Sequence, residues 1–437
     1  MSYSKELQRE MEKEGIEIGD RIKVLDNGKE HTGILMPRTE SDEDTLVLKL
    51  DGGYNIGLKH KNGMSFKKLE DVEVESKDLH VDVKKSGDKS VSILIAGGTI
   101  ASRVDYRTGA VKPSVNEDEF VTFAPEIGGI AKIETRKILN TLSENIGPED
   151  WKKIAEEVVE EIEKGKDGVV IAHGTDTMGY TSAALSFMLE NLPIPVVLVG
   201  SQRSSDRGSS DAHQNLTCAL KAATTDIAEV TVCMHGSRSD DFCYLHPGTK
   251  VRKMHTSRRD AFRTVNADPY AKIYWEDLKV ERIRNDYRKK NTQRKVEAKS
   301  ELEGHVEIIR IYPGMDPGIF EKKLQRSKGV VIEGTGMGHI PTDNKEIMEE
   351  LKKYIEEGNI AFMASQCFNG RINMNVYETG IDLQKAGVIG NLSDMLPETA
   401  YVKLAWLLGN YDKEEAEDLM TENMRGEITE RSVKSKF

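Results

Sequence analysis

Three nearly unbroken apolar runs constrain this chain more than any other feature: Val91-Ser-Ile-Leu-Ile-Ala96, Asp167-Gly-Val-Val-Ile-Ala172 and Pro195-Val-Val-Leu-Val199. None alternates as a half-exposed strand does. A strand that is apolar on both faces has to be covered on both, as in a parallel sheet held between helix layers. The covering helices are read from the 3.6-residue spacing of Trp151–Lys164 and Thr181–Leu192. The alternation resumes with Gly329–Glu333, a helix over Lys345–Glu357, the run Ile360–Ala364 and a helix over Glu398–Leu408. The predicted class is α/β, a pair of doubly wound, mostly parallel domains.

At 437 residues the chain exceeds what one core supports, so two or three domains are expected. Residues 4–14 read as one short helix. From Ile16 to about Val74 the texture is short β-like runs, Arg21–Leu25, Gly33–Met36, Thr45–Leu50 and Tyr54–Leu58. Asn27-Gly28 and Asp51-Gly52-Gly53 separate them as turns that accept positive φ. This predicts a small β-barrel over 1–75, then a polar linker over 76–89. The α/β domains are expected over 90–290 and 291–437, with 276–303 an exposed charged connector and the last 25 residues a helical tail. The barrel reads equally as a solvated appendage or as a docking module.

The net charge of −12 excludes a chain that grips nucleic acid by itself, since such proteins carry a basic surplus. Charged residues, mostly Lys and Glu, make up 31%, a bias that fits a hot-living source. The opening MSYSKELQREMEKEG is polar and unlike a signal peptide, and no apolar run reaches the length of a membrane span. A soluble, cytoplasmic protein is expected. The four cysteines follow no disulfide or zinc spacing, and Cys243-Tyr-Leu-His246 is half a metal site without its other half, so no metal is assigned.

Two of the apolar runs end alike, in Gly97-Gly98-Thr99 and in His173-Gly174-Thr175-Asp176. Ligands of open α/β sheets bind at the carboxyl ends of parallel strands. Glycine there lets backbone approach a substrate, and threonine offers a hydroxyl nucleophile beside amides that can hold an oxyanion. Either Gly-Thr pair alone is as readily an ordinary turn. Lys253 could serve as the base with Asp176 orienting its amine, yet it is one cation among several in a basic stretch. Gly334-Thr-Gly336-Met-Gly338 lacks dinucleotide spacing, and Cys367 lacks a His and acid partner. His173 and His235 end strand-like runs and read as structural.

Ala96-Gly-Gly-Thr-Ile-Ala101 and His173-Gly-Thr-Asp-Thr-Met178 resemble the two threonine signatures of bacterial-type L-asparaginases. The likeness covers about residues 90–410. Tyr106 with Thr108-Gly-Ala-Val111 is similar to the family's flexible-loop tyrosine, and Ser143-Glu-Asn-Ile146 to its substrate-carboxylate segment. Gly200-Ser-Gln-Arg203, Ser210-Asp211 and the placing of Lys253 before Phe262 follow the family's order. The resemblance implies Thr99 as nucleophile, aided by Tyr106, and Thr175, Asp176 and Lys253 as a second polar triad. It implies Gly98 and Ser143 as substrate-binding, Ser143 toward the α-carboxylate, with Asp176 toward the α-amino group. Glu144 stands where the family usually has Gln, next to that ammonium. An acid lent by a neighbouring subunit is not assigned, although Glu378 lies in a suggestive stretch.

The N-terminal extension, the charged connector and Leu419-Met-Thr-Glu-Asn-Met-Arg-Gly426 resemble a branch of that family, the D subunits of archaeal glutamyl-tRNA(Gln) amidotransferases. The resemblance implies ammonia release from glutamine or asparagine for transamidation of Glu-tRNA(Gln), and a homodimer within a larger complex. The partner E subunit would hold most of the tRNA and bind ATP and Mg, leaving this chain without a cofactor. A free-standing asparaginase with an accessory domain shares every catalytic residue and is the alternative. An inactive scaffold is opposed by the intact Thr99, Thr175, Asp176 and Lys253.

Overall fold

The computed structural model describes residues 3–26, 28–36, 44–50, 55–61, 63–69, 88–98, 102–104, 111–113, 129–203 and 210–432. The predicted linker over 76–89 thus lies almost wholly outside the described residues.

In the N-terminal module, helix α1 (Lys5–Lys13) is polar or charged except for Leu7 and Met11, which it buries. They share a core with a five-stranded antiparallel sheet. Its strands are β1 (Arg21–Asp26), β2 (Lys29–Leu35), β3 (Thr45–Leu50), β4 (Asn55–Lys59) and β5 (Ser65–Lys68), in the order β4-β3-β2-β1-β5. Ile22 and Val24, then Leu46 and Leu48, supply the inner face at the two-residue period of a strand. Gly33 interrupts β2 because a Cβ there would sit 2.4 Å from the Lys49 carbonyl oxygen.

The first α/β domain is built on an eight-stranded sheet. Along the chain come β6 (Ser90–Ile95), a hairpin of β7 (Ser102–Val104) and β8 (Val111–Pro113), β9 (Lys132–Lys137), α2 (Pro148–Glu163) and β10 (Gly168–Ala172). Then follow α3 (Met178–Met188), β11 (Leu189–Glu190), β12 (Val196–Val199), α4 (Ala212–Ala223), β13 (Val230–His235) and β14 (Phe242–Pro247). A separate two-stranded ribbon, β15 (Val251–Lys253) and β16 (Phe262–Thr264), precedes β17 (Ala271–Tyr274), β18 (Val280–Arg282) and the short β19 (Glu297–Ala298). The sheet order is β18-β17-β14-β13-β12-β10-β6-β9. Strands β9, β6, β10, β12 and β13 are parallel, whereas β14, β17 and β18 are antiparallel. The sheet is therefore more mixed than "mostly parallel" suggests. The antiparallel strands carry exposed or half-buried positions, as a sheet edge allows.

The second domain has a three-stranded parallel sheet, β20 (Val306–Arg310), β21 (Gly329–Gly334) and β22 (Ile360–Ser365). Helices α5 (Pro317–Gln325), α6 (Lys345–Glu356), α7 (Glu378–Lys385), α8 (Pro397–Asn410) and α9 (Lys413–Thr421) complete it. In β10, Val169 and Ile171 join a core with α2, α3 and α8, while Val170 and Ala172 join another with α4. The first of these cores also takes in Val331, Phe362 and Leu404, so one apolar interior runs through both α/β domains.

Three expectations need correction. The helix expected at Thr181–Leu192 starts at Met178 and ends at Met188, because Leu189-Glu190 leaves it to pair with β19. The connector over 276–303 is exposed along much of its length but pinned: Arg282 pairs with Asp226 at 2.6 Å, Lys290 with Asp167 at 2.6 Å, and Arg294 donates to the Leu192 carbonyl. Among the described residues the tail is helical only over Lys413–Thr421, and Glu427 and Thr429 beyond that helix are anchored by the rest of the domain. Glu427 and Lys403 are both fully buried, 2.6 Å apart, and the Glu427 carboxylate also accepts the N–H groups of Met424 and Arg425. Asp394 accepts the amide and hydroxyl of Thr429 while paired with the buried Lys250 at 3.0 Å. Buried charges persist where their remaining hydrogen-bonding capacity is met in this way.

Glu427→Ala strands the Lys403 ammonium and should lower unfolding free energy by about 3–5 kcal/mol in urea titrations. A Lys403→Met/Glu427→Leu double variant should recover most of that loss. A single variant within about 0.5 kcal/mol of the parent, the range of an ordinary surface change, would contradict this account of the tail.

Candidate active site

The carboxyl ends of β6 and β10 lie side by side, with Ile95 paired to Ala172. Gly97 and Gly98 adopt φ of +126° and +87°, the region that favours glycine. A Cβ on Gly97 would come within 2.3 Å of the Thr141 carbonyl oxygen, and one on Gly98 within 2.4 Å of the Gly174 nitrogen. Gly174 in turn has the Ser143 side chain where its own Cβ would go, at 2.6 Å. The glycines serve here to bring three loops together. Thr99 and Tyr106 lie outside the described residues.

Ser143 opens a single 3-10 turn, Ser143–Asn145, and is buried. Its hydroxyl accepts the Asp176 amide at 3.3 Å and its carbonyl accepts the Thr177 hydroxyl at 2.6 Å. Thr175 is buried just beyond β10. Lys253, at the end of β15, donates to the Thr175 hydroxyl at 2.8 Å and to an Asp176 carboxylate oxygen at 2.7 Å. Lys253 is 14% exposed and Asp176 64%, so the group has a dry side and an open side. Gly98, Ser143, Thr175, Asp176 and Lys253 are thus gathered in one place. Glu144 sits next to Ser143 on the exposed side of the turn. Lys253 belongs to a strand, where the sequence suggested a basic loop.

Behind the motif runs a dry chain of hydrogen bonds. Trp151 Nε1 donates to the Thr181 hydroxyl at 3.0 Å, and Thr181 meets His173 Nε2 at 2.9 Å. His173 Nδ1 lies 2.6 Å from the Gly174 carbonyl oxygen. That carbonyl can only accept, so Nδ1 carries the proton and Nε2 accepts from Thr181, as in a neutral imidazole. Burial is the main cause that lowers the His173 pKa, from 6.5 to about 4, and keeps it neutral. On the third strand end, the buried Asp211 carboxylate accepts the N–H groups of Gln202 and Arg203 at 3.0 Å, and the Asn215 amide at 3.0 Å. Asn215 also reaches His235 Nδ1 at 2.5 Å. Asp211 therefore fixes the turn after β12. The sequence placed it in the right segment, but its anchoring role was visible only once the backbone amides it binds were placed.

No group of three His, Cys, Asp or Glu side chains suited to a metal occurs among the described residues. No described helix is long and apolar enough to cross a membrane.

Two parallel strand ends joined by glycine contacts, with a Lys–Thr–Asp cluster between them, define an amidohydrolase-type site of the asparaginase class. Family models agree: "Asparaginase, N-terminal" matches residues 90–286 and "Glutaminase/Asparaginase C-terminal domain" matches 305–420. Among solved structures, the thermostable L-asparaginase from Thermococcus kodakarensis superposes with a TM-score of 0.70 at 35% identity, over 78% of this chain and 100% of that one. L-asparaginase I from Vibrio cholerae gives 0.68 at 30% identity, over 78% and 99%. A third model, "GatD N-terminal domain", matches residues 16–69. The D subunit of glutamyl-tRNA(Gln) amidotransferase from Pyrococcus furiosus is 49% identical over 96% of each chain, and that from Thermococcus kodakarensis 50% identical over 96% of each. The chain belongs to this family, the D subunits of glutamyl-tRNA(Gln) amidotransferases.

The neutral His173 gives a pH dependence with a definite sign. Its folded pKa lies below the unfolded one, so as pH falls the unfolded chain takes up the proton first. Its stabilising contribution is complete above pH 6.5 and is lost on the way down to about pH 4. Between pH 7 and 4 this one residue should cost the wild type about 3 kcal/mol. Urea unfolding of His173→Asn should therefore show a shallower pH slope than the parent. Equal slopes would mean that His173 is not buried neutral.

Proposed function

We propose that this chain is the amide-hydrolysing subunit of a tRNA-dependent amidotransferase. It would release ammonia from glutamine or asparagine for conversion of Glu-tRNA(Gln) to Gln-tRNA(Gln) on a partner subunit. The observation that carries the reading is Lys253 Nζ lying between the Thr175 hydroxyl at 2.8 Å and the Asp176 carboxylate at 2.7 Å, beside Gly98 and Ser143. The choice of a subunit over a free-standing asparaginase rests on the N-terminal module. The asparaginases above are spanned whole, or nearly so, by 78% of this chain, and the module at 16–69 matches the amidotransferase family instead.

In this reading Ser143 receives the substrate α-carboxylate, and Asp176, open to solvent on one side, receives the α-ammonium, with Glu144 close by. Thr99 Oγ bonds to the side-chain amide carbon. Tyr106 assists removal of the hydroxyl proton, which ends on the departing nitrogen, and ammonia leaves. Water then cleaves the ester and frees Thr99. As placed, Lys253 donates to both its neighbours. It can take the Thr175 proton only after losing one of its own, and Asp176 holds the amine aligned for that exchange. ATP and Mg belong to the partner E subunit, which also carries most of the tRNA contact. The chain works in the cytoplasm, as a homodimer within the complex.

Thr99→Ala, Thr175→Ala and Lys253→Ala should each cut ammonia release by roughly three orders of magnitude or more, as expected of groups acting as a unit. Near-normal turnover in Thr99→Ala with a dead Thr175→Ala would reverse the two threonine roles. Glu144→Gln should raise KM more than it lowers kcat, and a collapse of kcat at unchanged KM would make Glu144 catalytic instead. Removing residues 1–85 should leave basal hydrolysis largely intact while weakening stimulation by the partner with Glu-tRNA(Gln). Full, unstimulated hydrolysis by the intact chain, with asparagine clearly preferred, would favour a free-standing asparaginase.

A further inference from the structure

Building on the role proposed for Lys253, we infer that Arg252 and Glu398 form a positioning clamp through which the second α/β domain sets Lys253 against Thr175. Lys253 does not sit on the main sheet. Its strand β15 pairs only with β16 among the described residues, in a ribbon that has no sheet to fix its direction. Its own domain holds it through the buried Val251 and Phe262 and the His246–Thr264 contact at 2.7 Å, and further groups come from the other domain. At its base, Lys250 pairs with Asp394, Asn266 donates to the Asp394 and Gly370 carbonyls, and the Thr399 hydroxyl donates to the Thr249 carbonyl. At its end there is Arg252. Neighbouring strand residues face opposite sides. Lys253 thus reaches Thr175 and Asp176, while Arg252 reaches Glu398 in the first turn of α8. Arg252 Nη1 lies 2.9 Å from Glu398 Oε1 and 3.2 Å from Oε2, and its guanidinium carbon lies 4.5 Å over the Phe368 ring.

The pair is shielded enough to matter, with side chains 24% and 17% exposed, unlike freely solvated pairs that contribute little. The amino end of a helix also favours the Glu398 charge. Burial raises the Glu398 pKa, the nearby Glu333 adds to this, and Arg252 opposes both. Tyr180 and Arg252 face Glu398 from α3 and β15, and Arg310 engages Glu333 at 3.2 Å. As pH falls, then, Glu398 is protonated above the ordinary carboxylate range and the clamp lets go.

The test is steady-state ammonia release from glutamine and from asparagine by the full chain in complex with its partner, for Arg252→Met, Arg252→Lys and Glu398→Gln. A misplacement of about an ångström can cost on the order of a hundredfold in rate, so Arg252→Met should lose about ten- to a hundredfold in kcat with KM within about twofold. Arg252→Lys should restore most of it, and Glu398→Gln, isosteric and uncharged, should remove the acid limb of the kcat profile. A purely structural role would shift melting temperature without removing that limb. Wild-type kcat and pH profile in both Arg252→Met and Glu398→Gln, or a change confined to KM, would overturn the clamp. An active Lys253→Ala would instead overturn the role of Lys253 on which it rests, and the two failures are told apart by that variant.

Discussion

Between Gly98 and Gly174 there is no room for a β-carbon: one built on Gly98 would meet the Gly174 nitrogen at 2.4 Å. That closeness is what lets β6 and β10 deliver their loops to the same few ångströms. It also brings in Ser143, whose side chain occupies the space a Cβ on Gly174 would fill. The hydrogen bonds from Asp176 and Thr177 to Ser143 depend on it, as does the placing of Thr175 where Lys253 can reach. The chain Trp151–Thr181–His173 then fixes the Gly174 carbonyl from behind, within the apolar interior.

The second requirement is that two domains act as one body. The interior that includes α2, α3 and β10 continues without a break into β21, β22 and α8. Two charged pairs are threaded through the interior, Lys403–Glu427 within the second domain and Lys250–Asp394 between the domains. Such pairs add less stability than apolar packing would, yet once present neither partner can be removed cheaply. Lys250–Asp394 therefore holds the two domains in one relation, and Lys403–Glu427 holds the tail to α8.

Much of this was legible in the sequence, for reasons that differ by element. Runs such as Val169–Ala172 and Val330–Ile332 announce covered strands because both faces need apolar side chains. Helices like α2 and α6 announce themselves by periodicity, since one face is solvated. The antiparallel strands β14, β17 and β18 at one side of the sheet were not legible. Two of them mix buried with half-buried positions and β18 half-buried with exposed ones, and their direction is set by pairing partners and not by composition. At the site, Gly98, Thr175 and Asp176 stood out because backbone freedom and hydroxyl chemistry coincide there, whereas Ser143 came by likeness to the family. Lys253 could be picked out only by likeness, because nothing local separates it from Arg252 beside it. The difference between those two residues is the face of the strand each occupies, which exists only once β15 has paired with β16. Asp211, Glu398 and Glu427 were hidden for a related reason: their partners are backbone amides or cations distant in sequence.

The clamp on Arg252 spans 146 residues, and Thr249 is tied to Arg425 across 176. A ribosome supplies these partners in strict succession, and domains generally form in the order they emerge. The first α/β domain can therefore bury its strands while the ribbon bearing Lys253 still lacks its supports from the second. A chain released or stalled short of α8 would lack Glu398, the partner of Arg252 at the end of β15. Late synthesis thus leaves the contacts of Arg252, Lys250 and Thr249 with the second domain to be made last.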